Sequence, residues 1–293
     1  MRIALLAAGP KGANFLRNFR GNASVDFVVS YASKGLQVDA HADIQSVCQA
    51  KGYRLFGRGD VHAQDYASVD LVLMAGWQWM SKEADRRFVV FHDSLLPKLR
   101  GFNPTVTALI AGETEIGVTA LSPSGGQPSV ADSGPIFGHE KIPIQYPATI
   151  RSVYEQLGLA YCRLADRLLD AASSGPLSFA DQEVSEATYS LWRDEDDYQI
   201  NWTMSAEQIR RFVDAVGWPY LGAKSTVEGR EIRIDRVEVS YERVFVNRCP
   251  GKIWSLADGV PEVVCGSGML RILAAREADG CPVKFTSLRA RLA

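Results

Sequence analysis

A chain of 293 residues, 46% of them apolar and including six tryptophans, ten tyrosines and twelve phenylalanines, can build one large domain plus a small one and fill both cores. Its formal net charge of −2, with acids and bases mixed in both halves, argues against a polyanionic nucleic-acid partner. No apolar stretch approaches the roughly 20 residues that span a bilayer, and the apolar start is broken at once by Gly9-Pro10-Lys11, so a cytoplasmic location is expected.

In chain order, residues 3–8 form a continuous apolar run, the mark of a strand covered on both faces. The loop Gly9-Pro10-Lys11-Gly12 follows, then a helix over 14–19, a strand over 25–31, a helix over 39–51 stopped by Gly52, and an apolar strand over 69–75. Gly76-Trp77-Gln78-Trp79-Met80 comes directly after it. The two tryptophans either close a core or flank a slot for a flat heterocycle. A short strand over 88–91 stops at His92. Beyond it lie a helix over 104–111 with Pro104 in its first turn, a strand over 117–121, and a glycine- and proline-rich loop over 122–129 that covers the site or is disordered. Asp132 stands at the far end of that loop, before an edge strand over 142–144 and a long amphipathic helix over 150–172.

Strands separated by helix-length segments indicate an α/β fold: a Rossmann-like, mostly parallel sheet with helices on both faces, over residues 1–185. Ser173-Ser174-Gly175-Pro176 opens the connection to a second region. There the pattern changes to short alternating strands over 231–239, 252–256, 262–265 and 269–274, preceded by a helix over 205–216 with Ser205 as its N-cap. Residues 186–293 are therefore expected to form a small C-terminal β-barrel of OB-like type. Five cysteines without a Cys-x-x-Cys pair and four dispersed histidines suggest neither a zinc site nor a disulfide framework. The Gly9–Gly12 loop lacks the third glycine of a dinucleotide fingerprint, and strand two does not end in an acidic residue.

Ligands and catalytic groups in an open parallel sheet collect beyond the carboxyl ends of strands, which is where His92 stands. The ordered set His92-Asp93-Ser94-Leu95-Leu96-Pro97, Arg100-Gly101, Pro104, Gly112-Glu113, Gly117-Val118-Thr119 and Asp132-Ser133-Gly134-Pro135-Ile136 resembles the signature of formyltransferases that use 10-formyltetrahydrofolate. That family includes methionyl-tRNA formyltransferase and the sugar N-formyltransferases of surface-polysaccharide pathways. Asp197 to Trp202, Ser205-Ala206, Pro219, Pro250-Gly251 and Cys265 to Leu270 resemble its C-terminal domain.

The resemblance implies transfer of a formyl group from 10-formyltetrahydrofolate to an amine, with His92 as base and Asp132 holding the imidazole. It places the pterin ring along Gly76, Trp77, Gln78, Trp79 and Ser122. Gly9, Pro10 and Lys11 then border the acceptor side, with Ser94, Arg100, Trp192 and Arg193 as further substrate contacts. Lys11 either meets a phosphate there or is a solvated lysine. Trp192 and Arg193 either clamp a nucleotide or face solvent.

The family's asparagine two positions before the histidine is Val90 here, so either another donor holds the developing oxyanion or the activity is altered. Asn103 ranks first for that role, ahead of Ser94, a protonated Asp93 and backbone amides. Thr107 also replaces a common tryptophan. The expected acceptor is a nucleotide-linked amino sugar, since tRNA would call for a visible excess of lysine and arginine. Methionyl-tRNA formylation and a degenerate, ligand-binding member are the alternatives. A homodimer stays open.

Overall fold

The computed structural model describes residues 1–33, 35–79, 86–123 and 131–293. Met80 and most of the predicted loop over 122–129 lie outside the described residues. The chain divides into two compact units: Met1–Thr105, Thr114–Ile144 and Ser152–Trp192 form the first, and Val106–Glu113, Gln145–Arg151 and Arg193–Ala293 form the second.

The first unit is built on a seven-stranded sheet. Its strands are β1 (Arg2–Ala7), β2 (Ser24–Ser30), β3 (Leu55–Gly57), β4 (Leu71–Ala75), β5 (Phe88–His92), β7 (Glu115–Leu121) and β8 (Ile136–Pro143), in the spatial order β3-β2-β1-β4-β5-β7-β8. The first five are parallel, and β7 and β8 are added antiparallel. The mostly parallel α/β architecture expected from the strand–helix alternation is what forms. Strand order reverses between β1 and β4, so the crevice beyond their carboxyl ends is the switch point where such sheets bind ligands.

Alternation along the strands sorts side chains onto two faces. One face carries Ala4, Leu6, Phe27, Val29, Val72, Met74 and Phe88 in a single buried cluster, with Trp77 and Val90 packed against it. On the other, Phe91 lies between Phe15 of helix α1 (Gly9–Asn18) and Tyr161 of helix α4 (Ile150–Ser174), with ring centroids 5.9 and 5.6 Å away. Burying each such ring contributes about 1.5–3 kcal/mol, which fixes both helices on β5.

Two predicted features differ. Gly9-Pro10-Lys11-Gly12 is the first turn of α1 rather than a loop, because proline at the first helical positions gives up an amide that has no helical partner anyway. The edge strand β8 begins six residues earlier than the apolar Ile142 suggests, since its first half is only half-buried and so lacks an apolar pattern. Helix α2 (His41–Lys51) connects β2 to β3, ending at Gly52 in the left-handed conformation, φ 69°. The two-residue strands β6 (Arg100–Gly101) and β9 (Tyr189–Ser190) pair parallel, tying the segment after His92 to the connector that follows α4.

The second unit contains most of α3 (Pro104–Ala111), helix α5 (Ala206–Val216), and a five-stranded antiparallel sheet. That sheet comprises β10 (Ala223–Val227), β11 (Arg230–Ser240), β12 (Ile253–Ala257), β13 (Val260–Val264) and β14 (Met269–Arg276). Its order is β10-β11-β14-β13-β12, which leaves β10 and β12 at the edges. The last residues bridge both edges: Ala293 exchanges two backbone hydrogen bonds with Thr226, and the Leu292 amide donates to Gly251, just before β12. Ser205 caps α5 in a reciprocal box with Gln208, as its position before the amphipathic run predicts.

Candidate active site

His92 ends β5 on the face shared with Phe88 and Val90, while Asp93, next in the chain, turns to the side of α1 and α4. Asp93 is buried, and its two carboxylate oxygens accept from the Lys11 ammonium and the Tyr161 hydroxyl. Lys11, placed in sequence as either a phosphate contact or a solvated residue, is thus in an ion pair, with the Tyr154 ring 4.8 Å from its nitrogen. Ser94 is also buried; its Oγ donates to the Lys98 carbonyl at 2.6 Å. Thr119 anchors this turn by donating to the Ser94 carbonyl and accepting from the Leu96 amide. His139 meets the Leu96 carbonyl at 3.0 Å.

The imidazole of His92 lies between two acceptors. Its Nε2 is 2.9 Å from the Leu99 carbonyl, and its Nδ1 is 3.4 Å from Oδ2 of Asp132. The side chains are 8% and 21% exposed, so the carboxylate is the more open of the pair. The same Oδ2 accepts from the Gly101 amide at 2.9 Å. Gly101 has φ 99°, and a Cβ there would come within 2.5 Å of the Ser190 carbonyl; only glycine lets this amide approach the carboxylate. Asp132 itself holds φ 54°, a left-handed conformation that short polar residues tolerate.

Gly76, with φ 63°, backs onto the start of α1 so closely that a Cβ would meet the Ala8 carbonyl at 2.4 Å. This brings Trp77, Gln78 and Trp79 beside the switch point. The ring that touches both tryptophans is Tyr31, with centroids 5.1 Å from Trp77 and 6.2 Å from Trp79. Trp77 is half-buried against the sheet core, whereas Trp79 is half-exposed under the Arg58 guanidinium, 3.6 Å from its ring centroid. Ser122 is buried at the end of β7, its amide bonded to the Pro135 carbonyl.

Arg100, expected from the sequence as a substrate contact, bonds within the chain. It is 2% exposed, and its Nε and one terminal nitrogen both donate to Oε1 of Gln182. Trp192 closes the first unit, 60% exposed, and Arg193 opens the main segment of the second.

Residues 3–160 match the family model described as formyl transferase, and residues 193–291 match the formyl transferase C-terminal domain. The chain belongs to the formyltransferase family. A methionyl-tRNA formyltransferase of Sorangium cellulosum is 29% identical over 208 residues, which are 70% of this chain and 65% of that one. The fold is that of HypX from Aquifex aeolicus, at TM-score 0.65 and 17% identity over 97% of this chain and 46% of that one. It is also that of an N-formyltransferase from Helicobacter canadensis, in complex with folinic acid and dTDP-3-aminofucose, at TM-score 0.62 and 13% identity over 92% and 98% of the two chains. The chain thus spans a little under two thirds of the first relative and about half of HypX.

Val90 lies on the histidine's strand face, and the side chains expected from the sequence as oxyanion donors differ in their partners. Ser94 has one hydroxyl proton, and it is directed at Lys98. Both carboxylate oxygens of Asp93 are taken by donors, the Lys11 ammonium and the Tyr161 hydroxyl. Asn103 lies immediately before α3 at φ 48°. Sequence reasoning gave no site role to Tyr161, His139 or Gln182, and quoted Thr119 only as part of a motif. All reach the site from elements distant in sequence.

Proposed function

We propose that this formyltransferase moves the formyl group of 10-formyltetrahydrofolate onto the amine of an amino sugar, carried on a nucleotide. The observation that carries the reading is the His92–Asp132 pair, 3.4 Å apart at the end of a sheet strand beside the switch point. A flat heterocycle fits what the adjoining strand end offers: the face of Trp79, the rings of Trp77 and Tyr31, and main-chain groups from Gly76 to Gln78, with Ser122 as a further contact. The folate donor supplies an activated formyl carbon.

Amide formation takes a proton from the attacking amine as the new C–N bond forms, and returns a proton to the folate nitrogen as the old C–N bond breaks. The Asp132 carboxylate is the more exposed member, so the amine meets the pair from that side. A neutral imidazole has one N–H to donate; on gaining a proton it donates to the Leu99 carbonyl and carries a charge opposite to the Asp132 carboxylate 3.4 Å away. In this reading His92 takes up that proton as the general base. Asn103 is assigned to the oxyanion.

The acceptor class rests on charge. Residues 193–293 carry fifteen lysines and arginines against fifteen acids. Many of those arginines are already paired, Arg210 with Glu207 and Asp214, Arg233 with Glu195 and Glu231, Arg248 with Glu242 and Arg276 with Asp235. Backbone phosphates need unpaired cations. The second reading, methionyl-tRNA as acceptor, is favoured by the name of the Sorangium relative. Mass spectrometry of products formed from 10-formyltetrahydrofolate and a panel of nucleotide amino sugars, beside methionyl-tRNA, decides between them. A formylated sugar is expected, and its formation should fall at least 100-fold in His92→Ala. Formylated tRNA alone would replace this reading with the second.

A further inference from the structure

The Asp132 carboxylate faces His92 from a backbone in the left-handed conformation, φ 54°, and hydrogen bonds hold that backbone in place. The side-chain amide of Gln182 donates to the carbonyls of both Asp132 and Gly134, each at 2.7 Å. Its Oε1 is gripped by the buried Arg100 at 3.0 and 2.7 Å. Arg100 belongs to the segment that follows His92, and its neighbour Gly101 donates to Oδ2 of Asp132.

The rest of the connector repeats this cross-linking. Ala180 exchanges two backbone bonds with Ile136, Thr188 accepts from Leu99 and Arg100 and donates to Pro97, and Ser190 accepts from Phe102. One stretch, 180–190, therefore holds the loop carrying Asp132 and the loop behind His92 at once.

We propose that Gln182 is a positioning residue for formyl transfer. Clamped by Arg100, it fixes the backbone of Asp132–Gly134 and thereby the spacing between carboxylate and imidazole. This rests on the reading of His92 and Asp132 as the reacting pair. Gln182 touches neither ring nor carboxylate side chain, so its removal acts through Asp132. Displacement of a catalytic group by about 1 Å costs on the order of 100-fold in rate.

The test uses the full chain and two readouts. In Gln182→Met, kcat with 10-formyltetrahydrofolate and the accepted amine should fall ten- to hundredfold, with KM for the folate within about twofold of the parent. Separately, the ring-nitrogen NMR signals of His92, assigned by their loss in His92→Ala, should move toward those of Asp132→Asn. Gln182→Glu keeps the acceptor for Arg100 but cannot donate to the two carbonyls. It should show the same loss, and it serves if the methionine variant does not fold. Unmoved His92 signals in a folded variant, or a loss confined to KM, would overturn the proposal. If the signals move but the parent formylates no amine, Gln182 keeps its positioning role and the functional reading is what fails.

Discussion

At the scale of single residues, the site is a set of protons with assigned destinations. Asp93 is taken by Lys11 and Tyr161, the hydroxyl proton of Ser94 goes to Lys98, and the Gly101 amide goes to Asp132. In the proposed reading the Asn103 amide holds the developing oxyanion. Removing an oxyanion donor costs about 100- to 1000-fold in kcat, so Asn103→Ala and Asn103→Gly should both show a loss of that order. They differ in the backbone. At φ 48° alanine is strained and glycine is not, so only the alanine variant should also lose stability, by about 1 kcal/mol in thermal unfolding. Parent-like kcat in both variants would assign the oxyanion to backbone amides instead.

At the scale of elements, helix α5 shows how a buried charge shapes stability. Its carboxylate Asp214 is 15% exposed, and burial pushes its pKa up to about 6 against the opposing pull of Arg210. Because the folded state binds this proton more tightly than the unfolded chain, whose ordinary value is 3.8, the contribution to stability is complete below about pH 4 and lost as pH rises through about 6. Asp214→Asn has no such titration. Parent stability measured against this variant by denaturant unfolding should therefore decline from pH 4 to pH 6.5, leaving the variant ahead by on the order of 2 kcal/mol at pH 7. A variant less stable than the parent at pH 7 would mean that the Arg210 pair outweighs desolvation.

Legibility in the sequence followed the same physics. Strand β1 was readable because burial on both faces makes it wholly apolar, and α5 because its cap and stripe agree. Strand β10 was not: one of its inward residues is Ser225, fully buried because its hydroxyl accepts from Trp202 and donates to Ala293. At the site, His92 was visible where an apolar strand stops. Gln182 was not, since its partners Arg100 and Asp132 lie 82 and 50 positions away.

At the scale of the whole molecule, the balance of charge separates the two acceptors more sharply than any one contact. The chain carries 32 lysines and arginines against 34 acids, and the C-terminal segment is neutral. An enzyme that grips a nucleic acid releases counterions for each phosphate it neutralises, so affinity with six to ten such contacts falls about 10³- to 10⁵-fold between 50 and 200 mM salt. A nucleotide sugar presents only a diphosphate, which contributes one or two such contacts and a correspondingly shallow dependence. For this protein kcat/KM toward the accepted nucleotide sugar should change less than about tenfold over that range of potassium chloride. A steep fall with a sugar acceptor would show that the chain gathers several unpaired cations around its ligand. The same steep fall with methionyl-tRNA, alongside efficient turnover at low salt, would place the protein with the tRNA enzymes, because a neutral segment with paired arginines does not produce that slope unless binding itself breaks those pairs.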